Sequence, residues 1–371
     1  TDLAYKEGGI ILSEVFMVNM SCRPNRGMLK KLSELCKKVK LEEMIERSNM
    51  VAVKTHMGEA GSTAFVPVMY VRTLVEEIKK AGGRPFVTDS NTLYVGGRAT
   101  AINHLRTAAG NGFTMETVGA PIIIADGLKG HDYQEIEIEG ELLKSVKIAS
   151  AAYQADAIVL ISHLTGHEFM GFGGAIKNAS MGLSSRGGKQ QMHSDIKPVV
   201  NKERCKGDAK CLDWCPAEAI TMVGKGKERV ARIDRSKCIG CGECTIMCFE
   251  GAIQARLSGV LENAQRKCVE YVMGVFKGKE DKCVFFNFLM NITPDCDCWN
   301  YNDAHVVEDI GILASRDIVA IEQASIDLLN QTAGKDVFHE IYPVVDCQNQ
   351  IDYAEKMGLG SKKYELVSLD D

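Results

Sequence analysis

Cys205-Lys206-Gly207-Asp208-Ala209-Lys210-Cys211-Leu212-Asp213-Trp214-Cys215-Pro216 is answered further along the chain by Cys238-Ile239-Gly240-Cys241-Gly242-Glu243-Cys244-Thr245-Ile246-Met247-Cys248. A shift of 33 residues lays Cys205 on Cys238, Cys211 on Cys244, Cys215 on Cys248 and Ala219-Ile220 on Ala252-Ile253. The same shift lays Asp208 on Cys241, so a carboxylate stands where the repeat has a thiol. Three cysteines at C-x2-C-x2-C wrap one tight loop around a cubane cluster. The fourth, often followed by proline, ligates the other cluster of a two-cluster module. The repeat therefore predicts two iron–sulfur clusters. One takes Cys238, Cys241, Cys244 and the crossed Cys215. The other takes Cys205, Cys211 and Cys248, with Asp208 at its remaining corner. Structural zinc favours paired C-x2-C knuckles, not triplets with a crossed ligand.

Asp208 makes one iron unusual. A carboxylate is harder than a thiolate and suits cluster iron less well. Three states follow: a 4Fe-4S cluster with an Asp corner, a 3Fe-4S cluster with that corner empty, or a corner that cycles between them. The plainer alternative is that Asp208 only tunes potential.

Outward from this segment the pattern changes to alternating strand and helix. On the N-terminal side, apolar spacing predicts helices over Met28–Val39, Val66–Lys80 and Arg98–Ala109. Strands are predicted at Met50–Lys54, Arg84–Thr88, Pro121–Ala125 and Ala157–Ile161, with exposed hairpin strands at Gln134–Ile138 and Val146–Ile148. Beyond the cysteines come a helix over Leu257–Phe276, strands at Cys283–Met290 and Ile310–Ala314, and a helix over Asp317–Asn330. Such alternation implies an α/β domain with a mostly parallel central sheet. The expected organisation is residues 1–196 as its first part, 197–255 as an inserted 2[4Fe-4S] ferredoxin-like α+β domain, and 256–371 as its second part. The approach to the insertion, Gly182 to Pro198, is rich in Gly, Ser and Lys and reads as a loop.

Composition sets the setting. Of 371 residues, 45% are hydrophobic and 25% charged, ordinary for a globular protein, and the net charge of −5 argues against a nucleic-acid partner. No apolar run reaches the roughly 18 residues of a membrane span, and no secretory signal is legible. We expect a cytoplasmic protein in a reducing or anaerobic setting, whose 14 cysteines serve as ligands and thiols and not as a disulfide framework. The hairpin between the cysteine runs carries Lys225, Lys227, Arg229, Arg232, Arg235 and Lys237. These charges either balance the clusters or dock an acidic partner.

Second-tier signals sit after predicted strands, where α/β folds place their sites. Asp295-Cys296-Asp297-Cys298-Trp299 offers two thiols for a soft metal or a redox pair. His163-Leu164-Thr165-Gly166-His167 offers two imidazoles, though Gly166 weakens the helix that would put both on one face. Cys296, Cys298, His163 and His167 form the candidate extra metal site; Lys177, Cys296 and Cys298 are the candidate catalytic residues. Gly171-Phe172-Gly173-Gly174-Ala175-Ile176-Lys177-Asn178 reads as a flexible turn able to cradle an anion. Gly182-x4-Gly187-Gly188-Lys189-Gln190 misses the P-loop pattern by one glycine and lacks its hydroxyl residue. Lys54-Thr55-His56 and Asp89-Ser90-Asn91-Thr92 follow strands too and could line the same face. Cys22, Cys36, Cys268, Cys283 and Cys347 lack ligand spacing and read as buried small hydrophobes.

Six stretches carry a family resemblance: Lys54-Thr55-His56-Met57-Gly58-Glu59, Thr88-Asp89-Ser90-Asn91-Thr92-Leu93-Tyr94, Gly119-Ala120-Pro121-Ile122-Ile123-Ile124-Ala125-Asp126-Gly127, Gly173-Gly174-Ala175-Ile176-Lys177-Asn178, Asp295-Cys296-Asp297-Cys298-Trp299 and Gly358-Leu359-Gly360-Ser361. Over nearly its whole length the chain resembles a domain-of-unknown-function family of iron–sulfur centre proteins with an inserted bacterial-type two-cluster ferredoxin module. Asp208 departs from that family's usual cysteine. The resulting expectation is an iron–sulfur redox protein that passes electrons to a protein partner or to a small-molecule substrate on the α/β domain. In its enzyme version this is a ferredoxin-linked oxidoreductase. The alternative is a carrier or scaffold that delivers iron–sulfur units or metal to a client.

Overall fold

Eight strands join in one sheet in the computed structural model, which describes residues 12–94, 96–193, 197–215, 217–238, 244, 248, 250, 252–255 and 261–370. In chain order they are β1 (Ser13–Asn19), β2 (Met50–Thr55), β3 (Arg84–Asp89), β4 (Ile122–Ile124), β5 (Ala157–His163), β6 (Cys283–Leu289), β7 (Gly311–Ser315) and β8 (Tyr364–Ser368). Across the sheet the order is β8-β1-β7-β6-β5-β2-β3-β4. From β6 to β4 every neighbour is parallel. β7 runs antiparallel to both β6 and β1, and β8 pairs parallel with β1. The sheet is thus mixed and mostly parallel, as the strand–helix alternation predicts.

The central strands are apolar on both faces because helices cover both. Val51, Val53, Val159, Ile161, Val284, Phe286 and Phe288 pack toward the layer holding helices Met28–Lys38 and Val68–Lys80. Their sequence neighbours Ala52, Ile158, Leu160, Phe285 and Leu289 point the other way, toward helices Ala175–Leu183, Leu261–Phe276 and Ile318–Ala333. This strict alternation follows from the two-residue period of a strand. Truncating one fully buried side chain such as Phe286 is expected to cost about 3–5 kcal/mol.

The chain starts this parallel block in its middle. From β2 it winds outward through β3 and β4, then returns to the other side of β2 as β5 and continues to β6. The strand order therefore reverses between β2 and β5. In open α/β sheets the crevice outside the strand C-termini at that point is where ligands bind.

Three sequence expectations need correction. The stretch Gly182 to Pro198 is not a loop throughout: helix Ala175–Leu183 runs into it, and Arg186–Met192 is helical, capped by the Ser185 hydroxyl accepting the Gly188 N–H at 3.1 Å. Burial outweighs the poor propensity of Gly187-Gly188, for Met192 is fully buried, and a β-carbon on Gly188 would collide with the Lys147 carbonyl and Tyr271. Residues 194–196 lie outside the described set. The Gly171–Asn178 stretch is likewise no flexible cradle. It is a short strand, Gly171–Gly173, followed by the Ala175–Leu183 helix, whose Ile176 N–H is already taken by the Glu322 carboxylate at 2.9 Å. Finally, Cys22 is exposed; Cys36, Cys268, Cys283 and Cys347 are buried as expected. β1, β8 and helix Gln348–Lys356 are elements the periodicity does not flag.

Between β5 and β6 the segment that holds the cysteine repeat forms two short antiparallel ladders. Pro198–Val200 pairs with Ile253–Ala255, and Ile220–Val223 pairs with Val230–Ile233. They enclose a small core of their own, with Cys211, Ile220, Ala231, Cys244 and Ile253 buried. Among the described residues no helix is long and apolar enough to cross a membrane.

Candidate functional site

Two places gather chemistry-bearing side chains. The first is in the cysteine segment. Cys205, Asp208 and Cys211 from the first half-repeat and Cys248 from the second line one recess, together with Met222, Ala231 and Ile253. The Cys205–Cys211 loop curls around it with Gly207 and Ala209 both in left-handed conformation, at φ +68° and +63°. For Ala209 that conformation costs roughly 1–2 kcal/mol. Backbone N–H groups point at the sulfurs: Ala231 to Cys205 at 3.4 Å, Ala219 to Cys215 at 3.2 Å and Ala252 to Cys248 at 3.2 Å. Asp208 sits at the rim with its side chain half exposed, and its carboxylate is 3.6 Å from Lys210 Nζ.

Burial pushes the Cys211 thiol up to about 11, and the neighbouring charges of Cys205, Cys248 and Asp208 add to the rise. Four anionic donors around one recess repel one another unless cationic metal deprotonates and holds them. The donor set therefore fits an iron–sulfur cluster. Among the described residues no three His, Cys, Asp or Glu side chains converge on a point that would hold a single ion. Of the expected second cluster, Cys215, Cys238 and Cys244 are described. Cys241 lies outside the described residues, as does Pro216.

The second place is the crevice between β2 and β5. His56 follows β2, Asp89 ends β3 and His163 ends β5. The loop after β6 brings Cys296, Asp297 and Cys298, and the Ala175–Leu183 helix brings Lys177 and Asn178. Asn178 pins that helix, donating to the Ile161 carbonyl and the Ser162 hydroxyl at 3.0 Å each and accepting from Lys54 Nζ at 2.6 Å. Gly182 leaves room for the Lys54 stem, and Gly166 lets its strand press against the Pro294 backbone beside the cysteine loop.

Within the crevice the sulfurs of Cys296 and Cys298 are 2.9 Å apart. Lys177 Nζ lies 2.7 Å from Cys296 Sγ and 3.8 Å from Cys298 Sγ, and His56 Nε2 is 3.7 Å from Cys298 Sγ. The hydrogen bond from Cys296 holds the Cys298 thiol well below its usual range against the opposing effect of burial, with Lys177 and His56 assisting. That same bond, with burial, pushes Cys296 well up. Burial would lower Lys177, but the two sulfurs outweigh it and raise its pKa.

Around this pair lies a buried ionic network. Lys54 meets Asp89 at 3.1 Å, and Arg98 meets Glu59 at 3.2 Å and Asp89 at 3.5 Å. Burial opposes the Asp89 charge, yet Lys54, His104, His56 and Arg98 together hold its carboxyl well below the usual range. Arg98 also donates to the Tyr94 hydroxyl at 2.6 Å, which in turn donates to the Cys298 carbonyl at 3.1 Å.

The other sequence candidates are placed differently. Both ring nitrogens of His163 are engaged, Nδ1 with Asp297 at 2.9 Å and Nε2 with the Met290 carbonyl at 2.7 Å. Burial works against its proton, but Asp297 outweighs it and raises the His163 pKa. His167 lies in a short hairpin, Thr165–His167 against Gly171–Gly173, where Nδ1 accepts the Phe169 and Met170 N–H groups at 3.1 and 3.2 Å. Burial, then Lys177, lowers its pKa far below the ordinary value. The crevice thus gathers Cys296, Cys298, Lys177 and His56, while His163 serves to orient Asp297. Arg98 and His104, both central to the network, carry no sequence signal; their spacing to Asp89 exists only in the fold.

Comparison with known proteins adds a family. A profile described as "Domain of unknown function (DUF362)" matches residues 51–327. A 62-residue stretch is 40% identical to a subunit of the ion-translocating oxidoreductase complex of Methanosarcina acetivorans, covering 17% of this chain and 22% of that protein. The chain thus spans about a fifth of that curated relative. Among solved structures, a Thermotoga maritima protein is similar with a TM-score of 0.43 at 10% identity, over 84% of this chain and 60% of that one. The lactate racemase apoprotein of Thermoanaerobacterium thermosaccharolyticum reaches 0.33 at 14% identity, over 49% and 42%. At these scores neither carries an argument.

Proposed function

The chain belongs to the DUF362 family, and from that premise we propose that it is an iron–sulfur redox protein whose cysteine segment is an inserted two-cluster ferredoxin-like domain. The carrying observation is that Cys205, Asp208, Cys211 and Cys248, drawn from both halves of the repeat, line one recess. Crossing of ligands between halves is the mark of two-cluster ferredoxins. The partial identity to a component of an oxidoreductase complex supports the same class of function. When bound, the clusters supply one-electron transfer.

The chain's own residues do the rest. Cys205, Asp208, Cys211 and Cys248 would hold one cluster, and Cys215, Cys238, Cys241 and Cys244 the other. The N–H groups of Ala219, Ala231 and Ala252 offset negative charge on the sulfurs and so favour the reduced state. The basic hairpin around Arg229 and Arg232 works in the same direction and gives an acidic redox partner a face to meet. Electrons then pass to that partner, or to the β2–β5 crevice of the α/β domain.

A second reading, a carrier that releases iron to a client, is favoured by one observation, the half-exposed carboxylate of Asp208. Iron and sulfide analysis with EPR on protein purified without oxygen tests both. About eight irons and two interacting reduced cubane signals support the relay. About seven irons with an oxidised three-iron signal moves the carrier ahead. Zinc in place of iron, with no visible absorbance, overturns both.

A further inference from the structure

The crevice pair Cys296 and Cys298 has no part in holding the clusters, and its geometry points to chemistry of its own. The sulfurs are 2.9 Å apart, so one is positioned to attack or to hydrogen-bond the other. Cys296 is buried, whereas Cys298 is partly open to solvent, so the two are not equivalent. Three exposed aromatic residues lie near Cys298: Tyr94 hydrogen-bonds its carbonyl, Trp299 follows it in the chain, and the rings of Trp299 and Tyr301 are 6.0 Å apart. The Lys177 ammonium already occupies the position beside both sulfurs where a metal cation would be expected. Of the two imidazoles expected to complete a metal site, His163 has both nitrogens engaged, and His167 Nδ1 accepts the Phe169 and Met170 N–H groups. The place is the crevice where the strand order reverses, the expected ligand position for this architecture.

We propose that Cys296 and Cys298 form a dithiol–disulfide couple that reduces an accessible disulfide bond, with Cys298 as the attacking sulfur. The resting state is Cys298 as thiolate, Cys296 as thiol donating its S–H to it, and Lys177 as ammonium. Cys298 attacks one sulfur of R–S–S–R′. That S–S bond breaks, a Cys298–S–R mixed disulfide forms, and the leaving R′S⁻ takes a proton from Lys177. Neutral Lys177, 2.7 Å away, then takes the Cys296 proton; the Cys296 thiolate attacks Cys298 Sγ and closes the Cys296–Cys298 disulfide, and the departing RS⁻ takes that proton from Lys177 to leave as RSH. Two electrons have moved from the protein dithiol to the substrate, which becomes RSH and R′SH. Lys177 recovers its proton from water. Return to the resting thiol–thiolate pair consumes two electrons and one proton, Lys177 having already been reprotonated; the electrons come singly from the iron–sulfur segment, a half of the cycle that rests on the function proposed above.

Nucleophilicity follows the same asymmetry. A thiolate, not a thiol, attacks disulfides, and Cys298 Sγ has Cys296 Sγ at 2.9 Å, His56 Nε2 at 3.7 Å and Lys177 Nζ at 3.8 Å, neighbours that favour its thiolate. Three crevice groups position the pair. The Cys298 N–H donates to Cys296 Sγ at 3.3 Å, Tyr94 holds the Cys298 carbonyl, and His56 Nε2 is 3.7 Å from Cys298 Sγ.

The test uses the full chain, handled without oxygen, with cystine as small disulfide and insulin as protein disulfide. Peptide mass spectrometry after acid quench reads the products. Wild type should convert one substrate disulfide per chain and gain the Cys296–Cys298 disulfide. Cys296→Ser should stop at a mixed disulfide on Cys298, and Cys298→Ser should give neither product. Lys177→Met should slow the exchange about tenfold and move the rise of its pH profile upward; Lys177→Arg, which keeps the charge but cannot give up a proton, should restore the position of the rise and not the rate. Reduction of cystine alone identifies a small-thiol substrate, and reduction of insulin identifies a protein one. The proposal is overturned if Cys296→Ser labels only the exposed Cys22, or if wild type forms no internal disulfide while its cluster absorbance is intact. Exchange that proceeds while dithionite-reduced clusters fail to refill the dithiol leaves the disulfide site standing and removes only the clusters as its electron source.

Discussion

Cys215 and Cys248 are structural equivalents: each sulfur accepts, at 3.2 Å, the backbone N–H of the residue four positions on, Ala219 in one case and Ala252 in the other. The repeat in the sequence is thus a repeat in geometry. In the crossed scheme the two cysteines nonetheless serve different clusters. Cys248→Ser should therefore disturb the cluster that includes Asp208, and Cys215→Ser the fully cysteinyl one. EPR of the two dithionite-reduced variants should show loss of different signals; loss of the same signal would refute the crossing.

In the proposed ligand scheme Asp208 sets the lability of one iron. Replacing its half-exposed carboxylate by a thiol, Asp208→Cys, should slow loss of iron to a chelator by about tenfold or more. The decay of visible absorbance in the presence of a strong chelator measures this, and an unchanged rate would mean that Asp208 does not ligate iron.

The Lys54–Asp89 pair ties β2 to β3 under the crevice, at 3.1 Å and with both side chains buried. Lys54→Met removes one charge and leaves the other without its main partner, which typically costs about 3–5 kcal/mol. Arg98 remains 3.5 Å from Asp89 and should keep the loss toward the lower end. Denaturant midpoints of the two proteins give the number.

Glu322 carries a pH signature. Burial pushes its carboxyl up to about 8 from an ordinary 4.5, against the lowering effect of the Ile176 and Ala175 backbone N–H groups; Oε1 accepts the Ile176 N–H, and Oε2 has no hydrogen-bond partner. Between those two values the unfolded chain has lost the proton and the folded chain keeps it. Stability contributed here is present at acid pH and declines as pH rises toward 8, at up to about 1.4 kcal/mol per pH unit. Glu322→Gln should flatten that decline, as denaturation at a series of pH values from 5 to 8 would reveal.

Thiol labelling should separate the remaining cysteines. Cys22 is exposed, whereas Cys36, Cys268 and Cys283 are buried, with burial raising the pKa of each. In native protein an alkylating reagent at neutral pH should modify Cys22 and spare the other three until the chain unfolds. Modification of Cys268 at the rate of Cys22 would contradict the packing of helix Leu261–Phe276.

Much of this molecule was legible in its sequence. Apolar runs such as Ala157–Ile161 declare buried strands because parallel strands covered on both faces have no polar side. The cysteine repeat predicts its ligand sets because cubane geometry permits few spacings. Where local signals failed, tertiary contact had overruled them. Arg186–Met192 is helical despite two glycines, because Met192 and Lys189 find partners in the core. The Ala175–Leu183 helix begins where glycines suggest a turn, because Glu322, far along the chain, caps it.

By itself the sequence determined most of the central strands and their covering helices, the repeat and the fact that Cys296 and Cys298 follow a strand, since each depends on spacing along the chain. Only the tertiary structure decided that the strand order reverses between β2 and β5, and that Lys177, His56 and the two thiols meet there. It also decided that His163 turns its ring to Asp297 and the Met290 carbonyl. Those relationships join residues more than a hundred positions apart, and no local propensity encodes a distance that exists only once the sheet is assembled.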